Sequence, residues 1–240
     1  MSPEFTALQT AMMQRALHLA ASAGNTTSPN PKVGCVIAHG EQIVGEGFHV
    51  QAGAPHAEVH ALRQAGDLAH GATAYVTLEP CSHTGKTPPC ANALIEAGVA
   101  EVICAMVDPN PQVAGQGLAR LQAASIHTAH GLLGEQAQAL NRGFLSRIQR
   151  KRPFLTLKLA ASLDGKTALA NGDSQWITGA AARADVHKER AARNAIITGS
   201  GTVLADNPQL NVRGVACLKQ PVRVVLDRHL RSPATAQIFD

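Results

Sequence analysis

Apolar residues recur at helical and at strand spacing along most of the chain, and the two patterns alternate. Leu8, Met12, Ala16 and Leu19 fall on one helical face and predict a helix over residues 3–22. Further along, short apolar runs predict strands, and each is followed by a stretch with helical periodicity. Strands that alternate with helices are typical of a layered α/β domain.

The first part of the chain carries five predicted strands and four further predicted helices. The first two strands form a hairpin and the last is an edge strand; the five cover residues 32–38, 42–50, 72–80, 101–108 and 126–131. The further helices cover residues 56–66, 89–98, 117–125 and 132–148.

The short basic segment RIQRKRP interrupts this alternation and predicts a domain boundary. We therefore predict a first domain over residues 1–146 and a second over residues 152–240. In the second domain the pattern predicts a helix over 179–194 and strands over 154–165, 195–206 and 222–227. This second unit is short for an α/β domain.

The chain carries a modest net positive charge. The net charge of +4 suits a small anionic ligand at least as well as nucleic acid, and aromatic residues, at 3%, are too few for base stacking. We therefore expect no nucleic-acid partner. No apolar run approaches the ~18 residues of a membrane span, and the start of the chain lacks signal-peptide features, so we expect no membrane association and a cytoplasmic location.

The cysteines divide into two kinds. Their odd number argues against a disulfide framework. Cys35 and Cys104 lie inside apolar runs and are expected to be buried, and Cys217 belongs to no motif. Cys81 and Cys90 differ, because they flank a polar loop.

The stretch PHAEVHAL, Pro55 to Leu62, suggests a metal site. His56 and His60 have the i, i+4 spacing of a zinc-peptidase helix, but Glu58 is one place late for that motif. His-x-Glu is the first half of the zinc-deaminase signature, whose second half is Pro-Cys-x-x-Cys. The competing interpretation is a helix start with two solvated histidines.

The second half of the signature follows in TLEPCSHTGKTPPC, although the spacing between Cys81 and Cys90 is wider than two residues. His56, Cys81 and Cys90 make a three-ligand set that leaves the fourth tetrahedral position for water, as in catalytic zinc sites. Zinc lowers the pKa of such a water towards about 7, and Glu58 can then shuttle its proton to a leaving amine. His49 and His60 are expected around the site and not among its ligands.

Three functional hypotheses stay open on these residues. The first is a zinc-dependent pyrimidine deaminase. The second is a zinc deaminase of another nucleoside or nucleotide base. The third is a non-catalytic, zinc-stabilised binding module, although a structural site usually has four protein ligands and needs no proton shuttle.

The segments NPKVGCVI, GEGFHVQAGAPHAEVHAL, YVTLEPCSHTGKTPPC and DPNPQVAGQG resemble the deaminase half of the bifunctional riboflavin-biosynthesis deaminase–reductases. The resemblance covers roughly residues 10–146 and accounts for the wide cysteine spacing. It implies a cytidine-deaminase-like three-layer α/β/α domain that binds Zn²⁺ and releases ammonia from a diamino-hydroxy-phosphoribosylamino-pyrimidine. By resemblance, the base and phosphate contacts are Asn30, His83, Lys86, Asp108 and Asn110. Asp108 and Asn110 can equally be turn formers before proline.

The segments KLAASLDGKTA, SQWITG and GTVLADNPQLNVR resemble the reductase half of the same family. This implies a dihydrofolate-reductase-like α/β domain that uses NADPH to reduce the ribosyl group to ribityl. By resemblance, the dinucleotide contacts are Ala160, Trp176, Thr202 and Asp206. The substrate contacts implied in the same way are Ser174, Arg190, Leu210 and Arg213, with Lys158 a further candidate.

One departure concerns the length of this second half. The family's reductase half continues into a Gly-rich segment that holds the cofactor phosphates, so we expect a partial, truncated reductase domain here and treat a deaminase-only protein as an alternative. The sequence leaves the oligomeric state open, with a homo-oligomer as one option.

Overall fold

The computed structural model describes residues 4–83, 88–111 and 113–240. The chain divides into two compact units, Met1–Phe154 and Leu155–Asp240. Helices in the described ranges lack the combination of length and apolar character that crossing a bilayer requires.

The first unit alternates strands and helices, as the sequence pattern predicts. Its strands are β1 (Gly34–His39), β2 (Gln42–Phe48), β3 (Thr73–Val76), β4 (Glu101–Cys104) and β5 (His127–His130). Its helices are α1 (Ala7–Ala21), α2 (Ala57–Ala65), α3 (Cys90–Glu96), α4 (Gln116–Ala123), α5 (Gly134–Leu140) and α6 (Arg142–Arg150). A short 3-10 segment, Gly66–Ala69, follows α2.

All five strands join one sheet in the order β2-β1-β3-β4-β5. Strand β1 pairs antiparallel with β2 and β3, whereas β3, β4 and β5 run parallel. The predicted hairpin and the predicted edge strand, β5, are both confirmed. Because β3 and β4 are parallel, the loops after their carboxyl ends emerge at the same edge of the sheet, where α/β folds commonly bind ligands.

Helices cover both faces of this sheet and form two hydrophobic clusters. Along β1, Cys35 and Ile37 belong to the first cluster, and Val36 and Ala38 belong to the second. Successive side chains of a strand point to opposite faces, so one strand supplies both clusters. The first cluster packs α2, α3 and α4 against the sheet, and the second packs α1 and α5. The unit therefore has the expected three-layer α/β/α architecture.

Helix α2 approaches the sheet closely because β2 carries glycine on the facing side. A Cβ atom added to Gly45 would lie 2.2 Å from the carbonyl oxygen of Ala61. One added to Gly47 would lie 2.8 Å from the carbonyl oxygen of Ala57. Any larger residue at these two positions would collide with the helix backbone.

Helix α1 begins at Ala7, later than the predicted start at residue 3. Thr6 caps it: the Thr6 hydroxyl accepts a hydrogen bond from the Gln9 backbone N–H at 3.1 Å, and the Gln9 side chain accepts one from the Thr6 N–H at 2.9 Å. This reciprocal capping box satisfies two otherwise unpaired donors and fixes the start of the helix.

The single helix predicted over residues 132–148 is wrong, because the structure divides it at Asn141 into α5 and α6. The buried Asn141 side chain accepts a hydrogen bond from the Lys32 N–H at 2.8 Å and donates to the Lys32 carbonyl at 3.0 Å. It also donates to the Ala137 carbonyl at 3.3 Å. A buried amide is stable when its donors and acceptor are paired, and these contacts pair them.

The second unit has fewer elements and a small core. Its described elements are α7 (Ala180–Ala191), β6 (Ala195–Gly199), α8 (Ser200–Asp206), β7 (Val222–Leu226) and a 3-10 segment, Gln237–Phe239. Strands β6 and β7 pair parallel in a two-stranded sheet. The buried cluster of this unit consists of Val203, Ala236 and Ile238.

Two strand predictions in the second unit are wrong. Residues 154–165 form no regular strand, and Leu155, Leu157 and Leu159 are 75%, 83% and 73% exposed. An apolar alternation makes a strand only when a neighbouring strand accepts its backbone hydrogen bonds. The strand predicted over 195–206 ends at Gly199, where α8 begins.

We expect Gly34→Ala to destabilise the first unit, because a Cβ atom there would lie 2.0 Å from the carbonyl oxygen of Ala16 in α1. Overpacking of this kind costs about 1–3 kcal/mol, measurable as a lower urea midpoint by circular dichroism. Gly143→Ala is the matched control: its Cβ would meet no atom within 4 Å, and alanine in a helix stabilises by about 0.5–1 kcal/mol. Equal midpoints for the two variants would contradict the close packing of α1 on β1.

Candidate metal centre

Three side chains of the first unit come together as the deaminase signature predicts. The ligand atoms of His56, Cys81 and Cys90 all lie within 4.8 Å of one another. His56 Nδ1 is 3.2 Å from the Cys90 sulfur and 3.6 Å from the Cys81 sulfur. Among the described residues, His49 and His60 do not belong to this group.

Each of the three candidate metal ligands lies at the start of a helix or in the loop that follows a strand. His56 is the N-cap residue of α2, and Cys90 is the first residue of α3. Cys81 lies in the loop after β3, where its sulfur accepts a hydrogen bond from the Cys90 N–H at 3.3 Å and its carbonyl accepts one from the Ala91 N–H at 3.1 Å. The start of α3 thus holds both cysteines, and the partial positive charge of a helix N-terminus favours thiolates.

The electrostatics of the cluster favour one thiolate even without a metal. A hydrogen bond from the Cys90 thiol, aided by one from His56, lowers the pKa of Cys81 to about 4. The same shared hydrogen bond, with burial, raises the pKa of Cys90. The hydrogen bond to Cys81 raises the pKa of His56. Two sulfurs and an imidazole nitrogen are ligands that zinc prefers, and three protein donors leave one position open.

Glu58 follows His56 in the first turn of α2 and is buried, at 3% exposure. Burial raises the pKa of its carboxyl, which also interacts with the charges of His56 and Cys81. Its Oε2 atom is buried without a hydrogen-bond partner. A buried, unpartnered carboxyl oxygen is costly unless a ligand or a water completes it, so the site fits a metal with a water at its open position.

His49 connects the predicted substrate residue Asn30 to this cluster, a link that sequence reasoning missed. The buried His49 ring lies edge-on to the His56 ring, with centroids 5.4 Å apart. Its Nε2 is 3.3 Å from Asn30 Nδ2, and its Nδ1 is 3.1 Å from the Pro55 carbonyl oxygen. Burial lowers the pKa of His49.

The remaining predicted substrate contacts of the first unit occupy two loops. His83 is exposed, and Lys86 lies outside the described residues. Asp108 and Asn110 are half-buried after β4, and the Asn110 N–H donates to Asp108 Oδ1 at 2.8 Å. Burial raises the pKa of Asp108, and its carboxyl interacts electrostatically with His83 and Cys81. Asp108 therefore shapes the turn and lies within electrostatic reach of the cluster.

Sequence reasoning also missed Glu79, which it treated only as the end of a strand. Glu79 is 3% exposed, and its carboxylate accepts hydrogen bonds from four backbone N–H groups of the loop after β4 and the start of α4. The available signal was the charged residue directly before Pro80-Cys81, because a charge in a predicted buried strand end needs partners.

In the second unit, two predicted substrate residues stand near each other. The Arg190 guanidinium donates to the Asn211 carbonyl at 3.2 Å, and the Arg213 N–H donates to His187 Nδ1 at 3.1 Å. Burial lowers the pKa of Arg190, and the positive charge of Arg213 adds to this effect. Two neighbouring guanidinium groups are suited to bind an anion such as a phosphate. Leu210, with a φ of 49°, lies in the loop just before Asn211, while the half-buried Ser174 lies in a separate segment.

The four predicted dinucleotide contacts occupy three separate segments. Ala160 is half-buried in the irregular segment 154–165, and Lys158, two positions earlier, is exposed. Thr202 and Asp206 are exposed one turn apart on α8. Trp176 is 70% exposed, and the Arg183 guanidinium lies 4.4 Å from its ring centroid. This cation–π contact is a second feature that sequence reasoning missed.

Two family models match the sequence. Residues 7–106 match the zinc-binding region of cytidine and deoxycytidylate deaminases, and residues 153–240 match the RibD C-terminal domain. The first match contains His56, Glu58, Cys81 and Cys90.

Curated relatives match nearly the whole chain. The riboflavin biosynthesis protein RibD of Haemophilus influenzae is 55% identical over 98% of this chain and 67% of its own length. That of Escherichia coli is 57% identical over 91% of this chain and 63% of its own length. The chain thus spans about two-thirds of the length of the curated relatives it matches.

Solved structures give the same result. Acinetobacter baumannii RibD superimposes with a TM-score of 0.90 at 53% identity, covering 96% of this chain and 66% of that chain. A diaminohydroxyphosphoribosylaminopyrimidine deaminase/5-amino-6-(5-phosphoribosylamino)uracil reductase of Thermotoga maritima gives a TM-score of 0.92 at 42% identity, covering 97% and 67%.

The low pKa of Cys81, about 4, predicts a reactive thiolate in the metal-free chain. Between pH 8 and pH 6 an ordinary thiol loses roughly 100-fold in alkylation rate, because its thiolate fraction falls about tenfold per pH unit. We expect Cys81 to lose less than about threefold over this range. Alkylation by iodoacetamide, located by mass spectrometry, measures this. Free cysteine is the reference, and Cys81→Ser identifies the peptide. A 100-fold loss at Cys81 would contradict the assigned hydrogen bonds.

Proposed function

The chain belongs to the RibD family of riboflavin biosynthesis proteins, and from this membership we propose that its first unit is a zinc-dependent deaminase. The substrate that the proposal assigns is 2,5-diamino-6-(5-phosphoribosylamino)pyrimidin-4(3H)-one. Water adds to the ring carbon that carries the 2-amino group, the C–N bond breaks, and the amine leaves as ammonia. The observation that carries the proposal is the His56, Cys81 and Cys90 donor set beside a buried carboxyl group with one free oxygen.

His56, Cys81 and Cys90 would hold the zinc, since their three donor atoms converge within 4.8 Å. Zinc, when bound, supplies a Lewis acid that lowers the pKa of a water molecule at the open position. Glu58 Oε2 accepts the proton of the attacking water and later returns it to the departing amine. The raised pKa of Glu58, caused mainly by burial, suits a group that must both take and give a proton near neutral pH.

The substrate contacts of the first unit are proposed from the family resemblance and from their position. Asn30 is held by His49, which packs against His56. Asp108 and Asn110 lie in the loop after β4, on the edge of the sheet that also carries Cys81. His83 and Lys86 lie between the two cysteines in the sequence, and Lys86 supplies a positive charge for the ribose phosphate.

For the second unit we propose an NADPH-dependent reductase domain that converts the ribosyl group to ribityl. Arg190 and Arg213 would bind the substrate phosphate, together with Ser174 and Leu210. Thr202 and Asp206 offer a hydroxyl and a carboxylate on one exposed face of α8, which suits the polar groups of a dinucleotide. Ala160 and Trp176 complete the proposed NADPH contacts, and the proposed domain extents are residues 1–146 and 152–240.

We also propose a cytoplasmic location, in which the small-molecule substrate is available. All five cysteines are free, as is typical of proteins in reducing compartments. The mild net charge of +4 and the few aromatic residues favour a phosphorylated small molecule over nucleic acid. Size-exclusion chromatography with light scattering would test whether the chain forms a homo-oligomer.

We expect Glu58→Ala to lose ammonia release while it keeps the zinc and the fold. General acid–base catalysis contributes about 100- to 10,000-fold, so the rate of ammonia release should fall by at least roughly 100-fold. Zinc content by atomic absorption and the circular dichroism spectrum should match those of the unchanged chain. Glu96→Ala, an exposed glutamate of α3, is the control and should keep full activity. Ammonia release that survives Glu58→Ala would reject the proposed proton shuttle.

One assay tests the two proposed activities in turn. Zinc-loaded protein receives the diaminopyrimidine substrate while ammonia is followed, and NADPH is then added while its absorbance is followed. We expect ammonia release in the first step. NADPH oxidation that depends on prior deamination would support the reductase proposal, and its absence would indicate a deaminase-only chain. No ammonia from zinc-loaded protein would reject the deaminase proposal.

A further inference from the structure

Glu79 is a buried carboxylate outside the metal ligand set, and the proposed proton shuttle does not use it. It follows β3 and directly precedes the Pro80-Cys81 turn, and its side chain is 3% exposed. Carboxylates are seldom buried unless they are paired. Here backbone N–H groups take the place of a cationic partner.

Both carboxylate oxygens of Glu79 accept hydrogen bonds from the segment that runs from the end of β4 into α4. Oε2 accepts from the N–H groups of Asp108 at 3.1 Å and Gly115 at 2.9 Å. Oε1 accepts from those of Gly117 at 2.8 Å and Leu118 at 3.4 Å. One side chain therefore holds both ends of this segment, which we name the Asp108–Leu118 loop.

The Asp108–Leu118 loop is also pressed against the turn that carries Cys81. A Cβ atom added to Gly117 would lie 2.0 Å from the Pro80 carbonyl oxygen and 3.1 Å from Glu79 Oε1. Gly115 has a φ of 80°, in the left-handed region that favours glycine. The two glycines thus allow the backbone to reach the carboxylate and the Pro80-Cys81 turn at once.

We propose that Glu79 is a positioning residue that fixes the Asp108–Leu118 loop to the Cys81 turn and so sets where Asp108 and Asn110 meet the substrate. The Asp108 N–H is bound directly by Glu79, and the Asn110 N–H is bound by the Asp108 side chain. Release of the first contact therefore loosens Asp108 and, through its side chain, weakens one of the contacts that hold Asn110, whose carbonyl also accepts hydrogen bonds from the N–H groups of Val113 and Ala114. This inference rests on the proposed deaminase function, in which these two residues contact the substrate.

Glu79→Gln is the sharpest test, because it keeps the size of the side chain and removes one acceptor oxygen. Whichever way the amide turns, its NH₂ group faces either the Asp108 and Gly115 pair or the Gly117 and Leu118 pair of donors. One end of the loop is then left without its acceptor. Gly117→Ala is a second variant that keeps the carboxylate but pushes the start of α4 away from Pro80.

The matched control is Glu101→Gln, the same change at a half-buried glutamate of the same sheet. Glu101 begins β4, at the end of the strand opposite to the loop, and accepts a hydrogen bond from the Thr73 hydroxyl at 3.2 Å. It has no part in the proposed site. The control should keep the KM for the diaminopyrimidine substrate and the amide exchange of the loop.

We expect zinc-loaded Glu79→Gln and Gly117→Ala to keep one zinc per chain and to show a KM raised by about 10- to 100-fold, since a small misplacement of binding groups can cost roughly 100-fold. Partial unfolding would instead lower the active fraction, and with it kcat, while KM stayed the same. Amide hydrogen exchange supplies a readout that needs no turnover. The N–H groups of at least one pair, Asp108 and Gly115 or Gly117 and Leu118, should exchange at least about tenfold faster in Glu79→Gln than in the control.

Faster exchange with a raised KM and intact zinc supports the positioning role. Unchanged exchange, or faster exchange with an unchanged KM, overturns it while the deaminase function stands. No ammonia from the zinc-loaded unchanged chain rejects the deaminase function, and with it the role of the loop in substrate binding, even if exchange shows that Glu79 holds the loop.

Discussion

The close contact between α2 and the glycines of β2 is the constraint on which the metal centre depends. Gly45 and Gly47 let the helix backbone lie where any larger residue of β2 would collide with it. The first turn of that helix carries Glu58, with His56 as its N-cap, whereas Cys81 lies in the loop after β3 and Cys90 begins α3. The depth of α2 on the sheet therefore fixes the distance between the imidazole and the thiolates. Tight packing against backbone atoms resists adjustment, because protein interiors are close-packed and the helix cannot shift alone.

The two buried carboxylates of the site differ in how they are satisfied, and this difference separates their roles. Both carboxylate oxygens of Glu79 accept hydrogen bonds, from four backbone N–H groups in all. Glu58 keeps one oxygen without a partner, and burial favours its protonated form. Both side chains are buried, and in the low-dielectric interior an unpaired polar atom costs more free energy than it would in water. A carboxylate with both oxygens hydrogen-bonded holds the surrounding backbone in place. A carboxylate with one unpaired oxygen can accept a proton there.

The sequence predicted much of the first unit because its signals are local. The alternation of strands and helices, the hairpin and the His-x-Glu and Pro-Cys patterns each depend on neighbouring residues. The division at Asn141 was not predictable in this way, since its partner is the backbone of Lys32 and local helical periodicity continues through it. The role of Glu79 was hidden for the same reason, because its donors lie 29 to 39 positions away. In the second unit, residues 154–165 have strand periodicity but no strand, because a strand also requires a partner that local sequence does not reveal.

The contact between Asn141 and Lys32 also orders events during synthesis. The two residues are 109 positions apart, and Lys32 lies just beyond the predicted substrate residue Asn30. Chains are synthesised at about 5–20 residues per second, and domains generally fold as units, the N-terminal domain first. Strand β5 ends at His130, so at this rate the last strand of the sheet is complete about 0.5–2 s before the Asn141 side chain is made. The segment around Asn30 therefore acquires this anchor only when the final pair of helices has been made.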